Sequence, residues 1–316
     1  MITDLRMEYR PFEYNEPYEI YLMARSAHWT PDEVNIAGDI LNWNKDLTAD
    51  EKEIIGGILK GFTQMEVLVG DYWRKIANWF PKPEIQMMCS AFSYFETIHQ
   101  TGYALINEQL GLDDFRAFLY DETTKNKLDY FLDNGKTDTK SVGTKLAIFS
   151  AFGEGVSLFS SFAILLSFQK APYGLLKGIA QIVSWSIRDE NLHSNGGVWL
   201  FNKLCEETPG LKEELRKDII EAATTVYDLE IKFISELFKD RTIRTLTYEQ
   251  LENFIRNRIN KKLEQMGYEA LFKVNNDLLS QMSWFNLLSS GKEFGDFFAV
   301  KPTAYTETNF NQTEMW

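Results

Sequence analysis

The sequence predicts an all-α protein, built as a helical bundle with a flexible C-terminal tail. Apolar residues recur at helical spacing along most of the chain, and no convincing alternation typical of β-strands appears. Apolar residues make up 44% and aromatic residues 14% of the 316 residues, which is enough for one large core. We therefore expect one helical domain over residues 1–300 and a tail over residues 301–316, where the periodicity fades.

Local signals place the helices in the first half of the chain. Residues 1–45 contain three prolines and are expected to form an irregular arm followed by a short helix. Thr48–Glu51 is a capping box, which predicts the start of a helix that runs through Glu66. Pro81–Glu84 should interrupt the chain and restart it as the next helix.

The second half continues the helical pattern. Residues 120–142 are polar and should join the two halves of the chain. Gly155–Phe168 is nearly uncharged but too short to span a bilayer, so we expect a buried helix there. Amphipathic helices are predicted over Leu211–Lys239 and Tyr248–Gly267.

Composition excludes several classes of partner. The net charge of −13, from 33 basic and 46 acidic residues, argues against binding nucleic acid through its phosphates. Cys89 and Cys205 form no C-x-x-C motif, which favours a reducing, cytoplasmic location over a disulfide framework. The N-terminus lacks the apolar core of a signal peptide. We therefore expect neither a nucleic acid nor a membrane as partner.

A repeated motif carries the chemistry. Glu-x-x-His occurs twice, as Glu96–His99 and Glu190–His193, in a chain with only 3 histidines. On an α-helix the glutamate and the histidine of this motif share a face, about one turn apart, and can bind one metal ion together. One such motif is more often a solvated helix face. Two of them, each joined by a glutamate from another helix, build the site of dinuclear iron and manganese carboxylate proteins.

Two further glutamates complete the expected set of metal ligands. Glu66 lies in the apolar stretch Phe62–Val69, and Glu154 lies in the apolar stretch Phe152–Phe159. An acid inside an apolar helix is costly unless it is paired or bound to a metal. Four carboxylates and two neutral imidazoles carry a charge of about −4, which two divalent cations cancel. The candidate ligands are Glu66, Glu96, His99, Glu154, Glu190 and His193.

Two residues near these motifs are candidates for other roles. Tyr103 follows Glu96 by nearly two helical turns, so its phenol should share the ligand face, where an oxidising metal centre could remove one electron. A locally hydrogen-bonded core tyrosine is the alternative. Asp189 directly precedes Glu190 and could orient a ligand imidazole, or it could be an ordinary surface acid. His28 is not a ligand candidate and is expected either at the surface or next to a ligand.

Other aromatic residues suggest electron transfer and a partner. Trp29 could relay an electron and donate one hydrogen bond, although a lone tryptophan is more often part of the core. The tail carries Tyr305, Phe310 and Trp316 on an otherwise polar strip. Such aromatic residues have no use on a free end unless a partner protein binds them.

Together these residues resemble the radical-generating small (β) subunit of class I ribonucleotide reductase, a ferritin-like protein. The resemblance covers essentially the whole chain, and other ferritin-like proteins lack this combination of tryptophan, tyrosine spacing and tail. The segments that carry it are Tyr9–Tyr14, Trp29–Glu33, Phe62–Gln64, Ala91–His99, Trp185–His193 and Tyr305.

The resemblance implies a role for each candidate residue. Glu66, Glu96 and His99 would bind one metal ion, and the second motif with Glu154 would bind the other. Tyr103 would hold the stable radical, Trp29 and Asp189 would begin the radical-transfer route, and Tyr305 would pass the oxidising equivalent to the large catalytic subunit. The protein would be a homodimer.

The resemblance leaves the metals and some rival functions open. Two iron ions are expected, with manganese–iron or two manganese ions as alternatives, because carboxylates and imidazoles accept both metals. Many family members carry aspartate where this chain has Glu66, and the longer side chain is typical of relatives that use manganese. The rivals are a standalone di-iron oxidase or oxygenase, which would not need the aromatic tail, and an iron-storage protein, which would leave Trp29 and Asp189 unexplained.

Overall fold

The protein is described by a computed structural model that covers residues 1–132 and 138–289. Within these ranges the chain is helical and forms no β-strand, which confirms the predicted fold class. The helices are α1 (Asn15–Ser26), α2 (Ala37–Lys45), α3 (Ala49–Ala77), α4 (Pro83–Leu110), α5 (Glu122–Tyr130), α6 (Thr139–Lys145), a π-helix (Leu146–Ser157), α7 (Phe159–Ser167), α8 (Lys177–Glu207), α9 (Leu211–Phe238), α10 (Tyr248–Gln265), α11 (Asn276–Gln281) and α12 (Ser283–Ser289).

The two long helices of the first half start where the sequence predicts. The Thr48 side chain accepts a hydrogen bond from the Glu51 backbone, and the Glu51 carboxylate accepts one from the Thr48 backbone at 2.9 Å. These bonds satisfy amide groups that the first turn of α3 would otherwise leave unpaired. Pro83 stands at the start of α4, where its missing N–H costs no helical hydrogen bond.

The N-terminal 45 residues are more helical than expected. They contain two helices, α1 and α2, where the sequence suggested an arm and one short helix. Pro17 does not prevent α1, because it lies in the first turn, where helical amides have no partner to lose. α1 packs along α4, so the bundle stabilises a helix whose own sequence signal is weak.

Helix α8, which carries the second motif, is anchored at its start by another element. Its first residues have no side-chain cap of their own. Asp39 on α2 supplies one instead, accepting hydrogen bonds from the backbone of Gly178 at 3.1 Å and Ile179 at 2.9 Å. This contact fixes the position of α8 along its own axis relative to α2. It also places the Asp39 carboxylate at the N-terminus of α8, where the helix dipole is positive.

The most apolar stretch runs through the centre of the bundle. Thr139–Ser167 is long and apolar enough to cross a membrane by length and composition alone, yet 94% of its most apolar window is buried inside the fold. This burial confirms the helix expected over Gly155–Phe168. The middle of the stretch, Leu146–Ser157, is wound as a π-helix, a rare form that is frequently found at functional sites.

The π-helix touches α8 almost backbone to backbone. A Cβ atom added at Gly197 of α8 would lie 2.0 Å from Ser150 Cβ, closer than any two such atoms approach. On the other helix pair, a Cβ at Gly70 of α3 would lie 3.2 Å from Glu96 Cβ on α4. These glycines bring four helices close enough for their inward side chains to meet.

Candidate metal centre

Four helices direct six candidate ligands into one buried cluster. Glu66 comes from α3, the first motif from α4, Glu154 from the π-helix and the second motif from α8. All six side chains are fully excluded from solvent. Their ligand atoms form two groups, in each of which every atom lies within 4.8 Å of the others. The groups are Glu66, Glu96, His99 and Glu190, and Glu96, Glu154, Glu190 and His193.

The first group is arranged around the inner nitrogen of His99. His99 Nδ1 lies 3.1 Å from Glu96 Oε2, 3.1 Å from Glu190 Oε1 and 3.8 Å from Glu66 Oε2. The outer nitrogen, Nε2, lies 3.3 Å from Asp189 Oδ2. The Asp189 carboxylate therefore holds the proton of the imidazole on its outer side and leaves Nδ1 free to bind a cation.

The second group has a different environment. His193 Nδ1 lies 2.8 Å from Glu96 Oε1 and 3.6 Å from both Glu154 Oε1 and Glu190 Oε2. Its outer nitrogen, Nε2, is buried and has no hydrogen-bond partner among the described residues. The ring packs instead against Phe92, with 4.3 Å between ring centres. The two imidazoles thus differ in what fixes their orientation.

The cluster suits a pair of cations. Both carboxylate oxygens of Glu66, both of Glu190 and one of Glu154 accept no hydrogen bond within residues 1–132 and 138–289. Burying so many unsatisfied oxygens together is strongly unfavourable unless positive charge lies between them. Oxygen and imidazole nitrogen donors suit iron and manganese, and Glu96 and Glu190 stand in both groups, where they can bridge two ions.

Burial and mutual repulsion shift the pKa values of these acids. Burial holds the pKa of Glu66 well above its usual value, and the charges of Glu190 and Glu96 raise it further. Burial also raises the pKa of Glu154 to about 8. The pKa of Glu96 is lowered, because the attraction of His193 and His99 outweighs the effect of burial. A metal ion entering the cluster must therefore displace protons.

Asp189 connects the first group to an aromatic path. Trp29 Nε1 donates a 2.7 Å hydrogen bond to Asp189 Oδ2, and the Trp29 ring stacks on His99 with 5.9 Å between ring centres. The half-buried Trp185 packs on Trp29 at 5.1 Å. Arg188 donates to the other Asp189 oxygen at 3.2 Å. A continuous set of contacts thus runs from the cluster toward the surface.

Tyr103 lies on the ligand face of α4, in an apolar pocket. Its side chain is fully buried, and its ring packs against Phe62 with 4.8 Å between ring centres. Its hydroxyl has no hydrogen-bond partner in the described parts of the chain. Burial, with the charge of Glu66 adding to it, holds the pKa of Tyr103 well above its usual value, so the phenol stays protonated.

The remaining predicted residues lie elsewhere. His28 is exposed, belongs to neither ligand group and lies 3.2 Å from the Tyr94 hydroxyl through Nε2. Tyr305 and the rest of the tail lie outside the described residues.

Two side chains at the second group escaped the sequence analysis. Trp73 Nε1 donates a 2.5 Å hydrogen bond to Glu154 Oε1. Trp73 follows Glu66 by seven residues, the same spacing that singled out Tyr103, so this signal was present. Lys262 of α10 passes over Gly155, where a Cβ would lie 2.6 Å from its Cε, and burial lowers the pKa of Lys262 to about 7. Nothing distinguishes Lys262 from other charges of an amphipathic helix in the sequence.

Comparison with known proteins places this geometry in a family. The family model described as ribonucleotide reductase, small chain, matches residues 6–277. A probable ribonucleoside-diphosphate reductase small subunit of Invertebrate iridescent virus 3 is 32% identical, over 98% of this chain and 87% of its own.

Solved structures share the fold. The ribonucleotide reductase R2 subunit from Clostridium botulinum superposes with a TM-score of 0.77 at 19% identity, over 90% of this chain and 91% of that one. Dimanganese(II)-NrdF from Streptococcus sanguinis gives 0.75 at 20% identity, over 89% of this chain and 100% of that one. With a match that runs through both motifs and a viral relative aligned along nearly the entire sequence, this chain belongs to the family of ribonucleotide reductase small chains.

Proposed function

We propose that this protein is the radical-generating small subunit of a ribonucleoside-diphosphate reductase. The six buried ligands would hold a metal pair, which would supply the oxidant for Tyr103 through the chemistry of oxygen or a reduced oxygen species. The observation that best supports this function is the position of Tyr103, fully buried one helical turn beyond His99 on the face of α4 that carries the ligands. The family match favours this function over a standalone di-iron oxidase or oxygenase.

The proposed ligands are the six buried side chains of the cluster. Because Glu96 and Glu190 belong to both groups, each of these two carboxylates could help to hold either ion. Asp189 and Trp73 hold ligands in place, one through His99 and the other through Glu154. The two proposed sets, one for each ion, are Glu66, Glu96 and His99, and Glu154, Glu190 and His193.

The pocket of Tyr103 favours a stored radical. The raised pKa keeps the phenol protonated, so the loss of an electron must be accompanied by the loss of the phenolic proton. Glu66 is the carboxylate whose charge acts most strongly on Tyr103, so it is the acceptor that we propose for that proton. The apolar ring of Phe62 and the complete burial of the site exclude water and reductants from the oxidised ring.

The contacts around Asp189 support an exit for the oxidising equivalent. Asp189 and Trp29 would take it from His99, and Tyr305 would deliver it to a large catalytic subunit that reduces the nucleotide. The tail over residues 301–316 would bind that subunit through Phe310 and Trp316. We further propose a cytoplasmic homodimer, in which a symmetric pair would bury surface of both copies.

The proposed metals are two iron ions, with manganese–iron or two manganese ions as the alternatives. The oxygen and nitrogen donors accept either metal. The Streptococcus sanguinis neighbour contains two manganese ions, which is why manganese is among the alternatives. Metal analysis together with electron paramagnetic resonance (EPR) on protein from its native cell distinguishes the three.

The variant Tyr103→Phe tests the function. Metal ions should still bind, because the phenol is not among the ligands, while the tyrosyl EPR signal and nucleotide reduction should both disappear. Tyr268→Phe is the matched control, since Tyr268 is also buried but donates its hydroxyl to the Lys212 carbonyl, away from the cluster. An undiminished tyrosyl signal in Tyr103→Phe would place the radical on another residue.

A further inference from the structure

Helices α4 and α8 run antiparallel across the metal centre. At one level His99 Nε2 of α4 lies 3.3 Å from Asp189 Oδ2 of α8. Gly102 lies nearly one turn after His99 on α4, and Ile182 lies about two turns before Asp189 on α8. These two residues are also neighbours, because a Cβ atom added at Gly102 would lie 3.5 Å from Ile182 Cγ2. Ser186 stands between these two α8 residues at helical spacing, so it occupies the face of α8 that meets Tyr103.

Within the described residues, the hydroxyl groups of Tyr103 and Ser186 have no other partner. Tyr103 Oη and Ser186 Oγ are both buried, and neither atom forms a hydrogen bond with any described residue. Buried hydroxyls in native proteins are rarely left unpaired. Ser186 is nevertheless close enough to act on the phenol as a hydrogen-bond partner, which lowers the pKa of Tyr103 against the larger opposite effects of burial and of Glu66.

We propose that Ser186 is a positioning residue for the radical: its Oγ contacts Tyr103 Oη in the resting protein and donates a hydrogen bond to it once the tyrosine is oxidised. This inference rests on the proposed function. Oxidation would remove one electron from Tyr103, which a bound metal pair would accept, and the phenolic proton would go to a carboxylate of the cluster. The phenoxyl oxygen that remains can only accept hydrogen bonds. Ser186 keeps its own proton throughout, because an aliphatic hydroxyl is far too weak an acid and base to exchange it here.

The hydrogen bond has measurable consequences. A donor at the phenoxyl oxygen draws electron density from it and lowers the largest g value of the radical. The donated proton exchanges with solvent deuterium when the protein is unfolded and refolded in D2O, so its magnetic coupling to the unpaired electron can be recognised. A serine that only filled space beside Tyr103 would produce neither signature.

Ser186→Ala tests the proposal, with Ser184→Ala as the matched control. Ser184 lies on the same helix, but its hydroxyl donates to the Leu288 carbonyl at 3.1 Å. High-field EPR and electron–nuclear double resonance on the wild type and on Ser184→Ala should show the exchangeable coupling. Ser186→Ala should lose the coupling and show a larger g value. If the radical forms in Ser186→Ala with the coupling and the g value unchanged, the proposal is wrong.

A second measurement works without metal or turnover. Ultraviolet resonance Raman spectra of the wild type minus those of Tyr103→Phe isolate the Tyr103 phenol, whose doublet intensities report hydrogen bonding at its oxygen. We expect this doublet to change in Ser186→Ala and to stay constant in Ser184→Ala. An unchanged doublet in Ser186→Ala would overturn the contact. If the doublet changes but no protein variant ever yields a tyrosyl radical, the proposed function fails and the contact stands.

Discussion

Trp29 and His99 meet at a single oxygen atom of the protein. Asp189 Oδ2 lies 2.7 Å from Trp29 Nε1 and 3.3 Å from His99 Nε2. One carboxylate oxygen thus fixes the tautomer of a candidate ligand and holds an indole ring against it. The same atom links metal binding to the proposed start of radical transfer.

Asp189→Asn should uncouple these two effects. The amide keeps the size of the side chain but loses the charge that anchors the imidazole proton of His99, so the affinity for the first metal ion should fall about 10–100-fold. Nucleotide reduction should be lost even when excess metal restores the tyrosyl signal. Metal titration and turnover assays measure the two effects, and the exposed Asp228→Asn serves as control. Wild-type turnover in Asp189→Asn would contradict the route.

Glu96→Ala and His193→Ala should differ in metal stoichiometry. Glu96 belongs to both ligand groups, whereas His193 belongs to the second alone. Both variants should bind well below two metal ions per chain, and Glu96→Ala should lose more than His193→Ala. Elemental analysis after equilibrium dialysis gives the count. Retention of two tightly bound ions in both variants would refute the assignment of the cluster.

The stability of the chelator-treated protein should depend on pH through Glu154. Its pKa is about 8 in the folded chain and 4.5 ordinarily, so the folded state binds the extra proton between these values. The contribution of Glu154 to the free energy of unfolding is fully present below pH 4.5, and it is lost as the pH rises through about 8.

Glu154→Gln should therefore gain stability relative to the wild type as the pH rises. At about 1.4 kcal/mol for each unit by which the two pKa values differ, the gain should reach a few kcal/mol near pH 8. Urea unfolding at several pH values measures it. A difference between the two proteins that does not change with pH would show that Glu154 is not protonated in the fold.

Gly197→Ala should weaken the contact between α8 and the π-helix. The new methyl group would overlap Ser150, so the helices must separate, at a cost of about 1–3 kcal/mol in the free energy of unfolding. Gly38→Ala is the matched control, because it also lies in a helix but has open space around it, and it should stabilise by about 0.5–1 kcal/mol. Equal effects in urea unfolding would contradict this packing.

The tail should act as tether and as electron carrier through different residues. Deleting residues 306–316 should abolish association with the large subunit, since each buried aromatic anchor contributes on the order of 2 kcal/mol. Tyr305→Phe should keep association within a few-fold but stop nucleotide reduction, because phenylalanine cannot undergo proton-coupled oxidation. Binding assays and turnover separate the roles. Wild-type turnover in Tyr305→Phe would disprove the electron-carrier role.

Local rules in the sequence were enough to predict most helices. The capping box at Thr48 and the break at Pro81 depend only on neighbouring residues, and the structure begins α3 and α4 accordingly. The helix α1 was missed because packing against α4 stabilises it, and that contact lies far away in sequence. The π-helix was missed for the same reason, since its hydrogen bonding depends on the elements packed around it.

For the cluster of metal ligands, the spacing in the sequence predicts which residues share one face of a helix, but it does not predict the distances between residues on different helices. The Glu-x-x-His motifs therefore identify candidate ligands without revealing that Glu96 and Glu190 stand in both groups. Ser186 shows the same limit. A serine three residues before Asp189 is unremarkable until α4 and α8 are seen to run antiparallel.

The π-helix makes the two metal positions mechanically unequal. Of the four candidate carboxylates, Glu154 is carried by the π-helix, while the other three stand on α-helices. Each hydrogen-bonded ring of a π-helix contains one residue more than that of an α-helix, so Glu154 stands on a wider local backbone than the other three. His193 also differs from His99, because its outer nitrogen has no partner among the described residues to match Asp189. One ligand group is thus held by α-helices and by the Asp189 hydrogen bond, and the other rests partly on the π-helix and on the packing of His193 against Phe92.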